Sequence, residues 1–161
     1  MVSVSTARRA FLKGHSQSEQ LHVRMPWMAE DFADICDRCG DCIDACDERV
    51  IAPGDGGYPS VDFHSGGCTF CGDCVTACQA QALKDTGQPA WPLRASIDGA
   101  CLDARGTTCR ACGDACEPRA IRFQLHLGGT ATVKLDQDLC NGCGSCIAVC
   151  PIQIIQIQEA T

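Results

Sequence analysis

Nearly all the chemistry this chain offers lies in sixteen cysteines, which fall into four groups of four. Cys36, Cys39, Cys42 and Cys46 form the first group; Cys68, Cys71, Cys74 and Cys78 the second; Cys140, Cys143, Cys146 and Cys150 the fourth. All three follow C-x2-C-x2-C-x3-C. The third group, Cys101, Cys109, Cys112 and Cys116, differs only in having seven residues between its first two members. Three cysteines each three residues apart wrap a loop round one cube and present thiolates to three of its irons. A fourth, four residues further on, lies across a short helix and points away. In two-cluster proteins of this kind the fourth cysteine serves the other cluster, so two groups hold two clusters reciprocally. The pattern predicts four [4Fe–4S] clusters with all sixteen cysteines as iron ligands.

Other uses of cysteine fit less well. Tight C-x2-C-x2-C packing is poor geometry for disulfides, and zinc ribbons use paired C-x2-C units with no work for a third regularly spaced thiol. His15, His22, His64 and His126 stand outside the groups and read as surface residues. Asp37, Asp41, Asp44 and Asp73, inside the cysteine loops, read first as solvated turn residues; the alternative is that their charge lowers a nearby cluster's potential, with Arg38 and Arg110 acting the opposite way. No nucleophile–base pattern stands clear of the cysteines, so an enzyme in its own right is not expected.

Composition agrees. Aromatics are 5% of the chain, and the 45% apolar fraction falls to roughly 35% without cysteine. A 161-residue chain with so thin a core needs bound clusters to fill it and to supply folding free energy. The formal charge is −7. A cluster with four thiolates carries about −2, which takes the loaded chain to roughly −15 and argues against a nucleic-acid partner. No apolar run reaches the length of a transmembrane helix.

The elements that must position the cysteines are short. Residues 1–29 read as a basic arm ending at Met25-Pro26-Trp27, with a twin-arginine-like Arg8-Arg9 motif. The motif is followed by polar Gly14 to Gln20 instead of an apolar stretch, so the arm is expected to imitate an export signal without acting as one. Val50–Ala52 with Tyr58–Phe63, and Ile121–Leu127 with Thr130–Leu135, alternate apolar and polar residues about glycines, the mark of hairpins. Short helices are expected over Ile43–Cys46, Val75–Cys78 and Ile147–Cys150. The fold class predicted is α+β: two tandem two-cluster ferredoxin-like units of short strands and short helices, at residues 30–88 and 89–161. Connections of 21, 22 and 23 residues leave two pairings open: groups one with two and three with four, or a nested arrangement. Leu93–Ile97 and Ile152–Ile157 favour the local one, because they read as first and last strands of a complete second unit. Local pairing sets Cys36, Cys39, Cys42 and Cys78 round one cluster and Cys68, Cys71, Cys74 and Cys46 round the next. It sets Cys101, Cys109, Cys112 and Cys150 round a third, and Cys140, Cys143, Cys146 and Cys116 round a fourth. Only Cys150 is followed directly by proline and Cys116 one residue late, which predicts looser clusters in the first unit.

Taken together, the Arg8-Arg9 arm, Pro26-Trp27, Gly56 to Val61, Ala90-Trp91, the stretched motif from Ala100 to Pro118 and Cys140-Asn141-Gly142-Cys143-Gly144 resemble the NapF family. These are ferredoxin-type accessory proteins of the periplasmic nitrate reductase system. The resemblance implies a cytoplasmic protein that binds the precursor of the reductase's catalytic subunit and helps mature it before export, by supplying electrons or an iron–sulfur cluster. A polyferredoxin electron carrier serving other redox proteins is the alternative.

Overall fold

The computed structural model describes residues 24–97 and 101–160. The Arg8-Arg9 motif, His15, His22 and Ala100 lie outside them. Among the described residues, six strands and five short α-helices are arranged as two similar halves: α1 (Phe32–Ile35), α2 (Asp41–Asp44), β1 (Ile51–Pro53), β2 (Pro59–Val61) and α3 (Asp73–Ala77), then β3 (Leu93–Ile97), α4 (Ala111–Asp114), β4 (Ile121–Leu125), β5 (Ala131–Leu135), α5 (Ser145–Ala148) and β6 (Ile155–Glu159).

Each half has a central antiparallel hairpin between its cysteine groups. In the first, Ile51 pairs with Val61; in the second, Ile121 pairs with Leu135 and Phe123 with Val133. In the second half the outer segments also meet, β3 against β6, with Ala95 opposite Ile157. The first half closes the same way by less: a single bridge, Met28 to Leu83, flanked by bonds from Ala29 N to Ala82 O and Lys84 N to Trp27 O. Residues 25–29, which sequence placed in the arm, are thus part of this closure, and Met25 is 2% exposed.

The helices begin two residues earlier than expected and end before the last cysteine of each group. A left-handed residue directly after the second cysteine opens each regular one: Gly40, Gly72 and Gly144, at φ 89°, 83° and 81°. Glycine takes that conformation without a Cβ clash, and the helix then spans the third cysteine. β6 starts at Ile155 instead of Ile152 because residues 150–153 are spent in a turn, with Gln153 at φ 51° and its N–H bonded to Cys150 O at 3.2 Å. The same turn follows every group, through Arg49, Gln81 and Arg119 at φ 54°, 57° and 54°. Pro151 is therefore not what stops the chain there, and missing prolines do not separate the two halves; the extent of strand closure does. Among the described residues no helix is long and apolar enough to cross a membrane.

Candidate metal centres

Each cysteine group forms a loop closed by backbone bonds, and each loop faces a recess with the last cysteine of a different group. Cys36, Cys39, Cys42 and Cys78 line one recess with Phe32, Pro59 and Leu83, about 340 Å³ with its mouth. A second, of about 620 Å³, is lined by Cys46, Cys68, Cys71 and Cys74 with Val50, Ile51 and Trp91. The third holds Cys101, Cys109, Cys112 and Cys150 with Ile97, Val133 and Ile155, about 350 Å³. The fourth, about 310 Å³, holds Cys116, Cys140, Cys143 and Cys146 with Ala95, Ile121 and Ile157. None of these four recesses gathers cysteines in the nested combination. None of the sixteen cysteines is in a disulfide. Four soft thiols round a largely apolar cavity are the donor set that an iron–sulfur cube takes, so the residues fit the group.

The thiols' electrostatics report the same grouping. Burial first, then Cys36, Cys39 and Cys78, pushes the Cys42 thiol up to about 11. Cys112 goes to about 11 through burial, then Cys101, Cys150 and Cys109. Burial drives Cys74 and Cys146 up to about 12, Cys74 with help from Cys68 and Cys71, and Cys146 from Cys143 and Cys140. Cys68 rises to about 11 by burial, with Cys71, Cys46 and Cys143 adding to it. Each of these thiols is protonated at neutral pH until a ligand displaces the proton. One further donor is aimed at sulfur: the Ala95 N–H in β3 lies 3.4 Å from Cys140 Sγ.

Residues 35–82 and 107–154 each match the family described as a 4Fe-4S dicluster domain. The chain is 38% identical over 156 residues to the ferredoxin-type protein NapF of Escherichia coli (strain K12), covering 96% of this chain and 95% of that one. It is 37% identical to NapF of Haemophilus influenzae, with 94% and 93% covered. The chain belongs to the NapF family of ferredoxin-type proteins. It is therefore an iron–sulfur protein of the [4Fe–4S] type, with a repeated dicluster domain. A subunit of an ion-translocating oxidoreductase complex from Methanosarcina acetivorans is also similar, at 30% identity over 128 residues, covering 76% of this chain and 47% of that protein.

In this NapF-family chain the stretched third group has its own support. Arg110, at φ −122°, stands where the other loops have left-handed glycine. Its Nε lies 3.1 Å from Oδ2 of Asp103, a carboxylate 2% exposed, in a charge contact not aligned as a hydrogen bond. Its guanidinium also sits 4.7 Å from the centre of the Phe123 ring. Arg38 of the first group is placed similarly, 5.1 Å from the Tyr58 ring centre and bonded to Gly56 O at 3.3 Å. Both arginines thus stand against a hairpin aromatic beside the second cysteine of their group. Asp37 and Asn141 brace their loops by accepting the Cys39 and Cys143 N–H groups, each at 3.2 Å. His64 bonds Asp62 and His126 bonds Thr132, away from the recesses.

In sequence Asp103 looks like any loop acid, and Trp91 and Asn141 stand out only through the family resemblance, without their role in joining the halves. Trp91 packs edge-on between Phe63 at 5.8 Å and Phe70 at 5.7 Å, and its indole N–H donates to Asn141 O at 3.2 Å. The Gly66-Gly67 pair was the available signal, since paired glycines often mark close backbone approach.

Proposed function

We propose that this protein is a four-cluster ferredoxin-type accessory protein, built of two tandem ferredoxin-like units at residues 25–88 and 89–161, that helps mature the catalytic subunit of periplasmic nitrate reductase. Each recess holds one [4Fe–4S] cluster on its four cysteines. The partner is the precursor of that subunit, met in the cytoplasm before export. The observation that carries this reading is the near full-length likeness to NapF, with four four-cysteine recesses to match.

When bound, such clusters supply low-potential one-electron transfer. The chain's own residues do the rest. The cysteines surrender their protons on ligation, the Ala95 N–H donates toward a ligand sulfur, and the aliphatic walls cover the inner side of each site while Cys39 and Cys71 stay exposed. The test is an anaerobic pull-down of the full-length protein against the unexported catalytic subunit, with iron counted on both partners before and after. Co-elution is expected, and iron moving between partners would mark cluster supply. No association, together with normal reductase maturation in a deletion strain, would refute the maturation role.

The second reading, a polyferredoxin electron carrier, is favoured by the closeness of neighbouring recesses, whose cysteine-bearing helices pack together, α2 on α3 and α4 on α5. Rapid turnover between a donor and an acceptor, with iron retained, would select it.

A further inference from the structure

The two halves meet at a seam whose residues belong to two of the four recesses. The Cys68 N–H donates to Cys143 O at 2.8 Å, joining a cysteine of the second recess to one of the fourth. A Cβ on Gly67 would lie 2.8 Å from Ser145 N and 2.9 Å from its Cα, and one on Gly144 would strike the Phe63 ring. Only glycine lets the loops come so near. Trp91, 4% exposed, fills the seam between Phe63 and Phe70 and is bonded to Asn141. Cys68 and Trp91 line the second recess; Asn141, Cys143 and Gly144 line the fourth. No seam residue lines the first or the third.

We propose that the four centres form a single row whose spatial order is first, second, fourth, third, with the two units joined head to head through the Cys68–Cys143 seam. The inference rests on the reading that each recess holds a cluster. The ends of the row are then the Cys36/Cys39/Cys42/Cys78 site and the Cys101/Cys109/Cys112/Cys150 site. These are also the two sites that carry Arg38 and Arg110 beside a ligand. Within each half the row is continuous, because helices α2 and α3, which carry Cys42 and Cys74, pack on one another, as do α4 and α5, which carry Cys112 and Cys146. A protein so built presents two different end sites to two partners, instead of two independent dicluster modules on a string.

The test uses full-length protein, loaded anaerobically and fully reduced with dithionite, and reads electron paramagnetic resonance. Wild-type protein must first contain about sixteen irons per chain, four per cluster; a much lower content overturns the four-site reading itself. One variant removes the end sites (Cys39→Ala and Cys42→Ala with Cys109→Ala and Cys112→Ala), and a second removes the inner ones (Cys71→Ala and Cys74→Ala with Cys143→Ala and Cys146→Ala). With about eight irons each, the first is expected to show a spin-coupled, broadened pair and the second two isolated signals. Isolated signals from the first variant, or coupling in the second, overturn the row. Where a variant does not load, hydrogen exchange on wild-type holo-protein decides. The Cys68 amide is expected to be strongly protected, and exchange at the rate of an open loop overturns the seam.

Discussion

Replacing Trp91 by alanine tests whether the seam holds the protein together. The side chain is 4% exposed, touches two aromatic rings edge-on and donates its N–H to Asn141 O. Truncating a buried tryptophan costs about 3–5 kcal/mol. The upper half of that range applies because two ring pairs are lost and a carbonyl loses its donor. At about 2–4 °C per kcal/mol for a chain of this size, the apparent midpoint should fall by roughly 8–20 °C. The assay is an anaerobic thermal ramp following visible cluster absorbance at fixed scan rate, since cluster loss makes unfolding irreversible. Trp91→Phe keeps the ring contacts and loses the N–H, about 1 kcal/mol, so it should melt only about 2–4 °C below wild type. If Trp91→Ala lost its clusters within about 2 °C of wild type, the halves would not be joined as described.

Three further outcomes follow from the sites. Arg110→Gln removes a positive charge beside Cys109 and should lower the potential of one cluster in a redox titration, leaving the others in place. It also strands the buried Asp103 carboxylate. Because Arg110 is 37% exposed, the expected loss is about 1–2 kcal/mol, below that of a fully buried pair, and urea or thermal midpoints will report it. Cluster loading should improve as pH rises from 7 to 9, since ligation needs thiolates and an unburied cysteine ionises at about 8.5. Iron uptake by the cluster-free chain across that range measures it, and flat uptake would contradict it. Stripping iron with a chelator should abolish the strand signal in far-ultraviolet circular dichroism, because the core between the sites is thin.

The cysteine groups, both hairpins and the β3–β6 closure were legible because spacing and alternation are local signals. Leu93–Ile97 is a strand over the residues its pattern marked, while its partner slipped three residues because the turn after Cys150 has no signature in side-chain hydrophobicity. Helix starts were misplaced for a similar reason: they depend on left-handed glycines that read as ordinary loop residues. Connections of nearly equal length left the pairing open, and only the strands flanking groups three and four favoured the local one. Trp91, Phe63, Phe70 and Asn141 come from separate segments and meet only in the folded chain, so no periodicity could announce the seam. Met25-Pro26 looked like the end of a polar arm because its burial depends on residues 82–90 laid alongside.

Iron and acid-labile sulfide in anaerobically purified protein test the central claim most directly. Four recesses of four thiols predict about sixteen of each per chain. About eight of each, or zinc in place of iron, would contradict it.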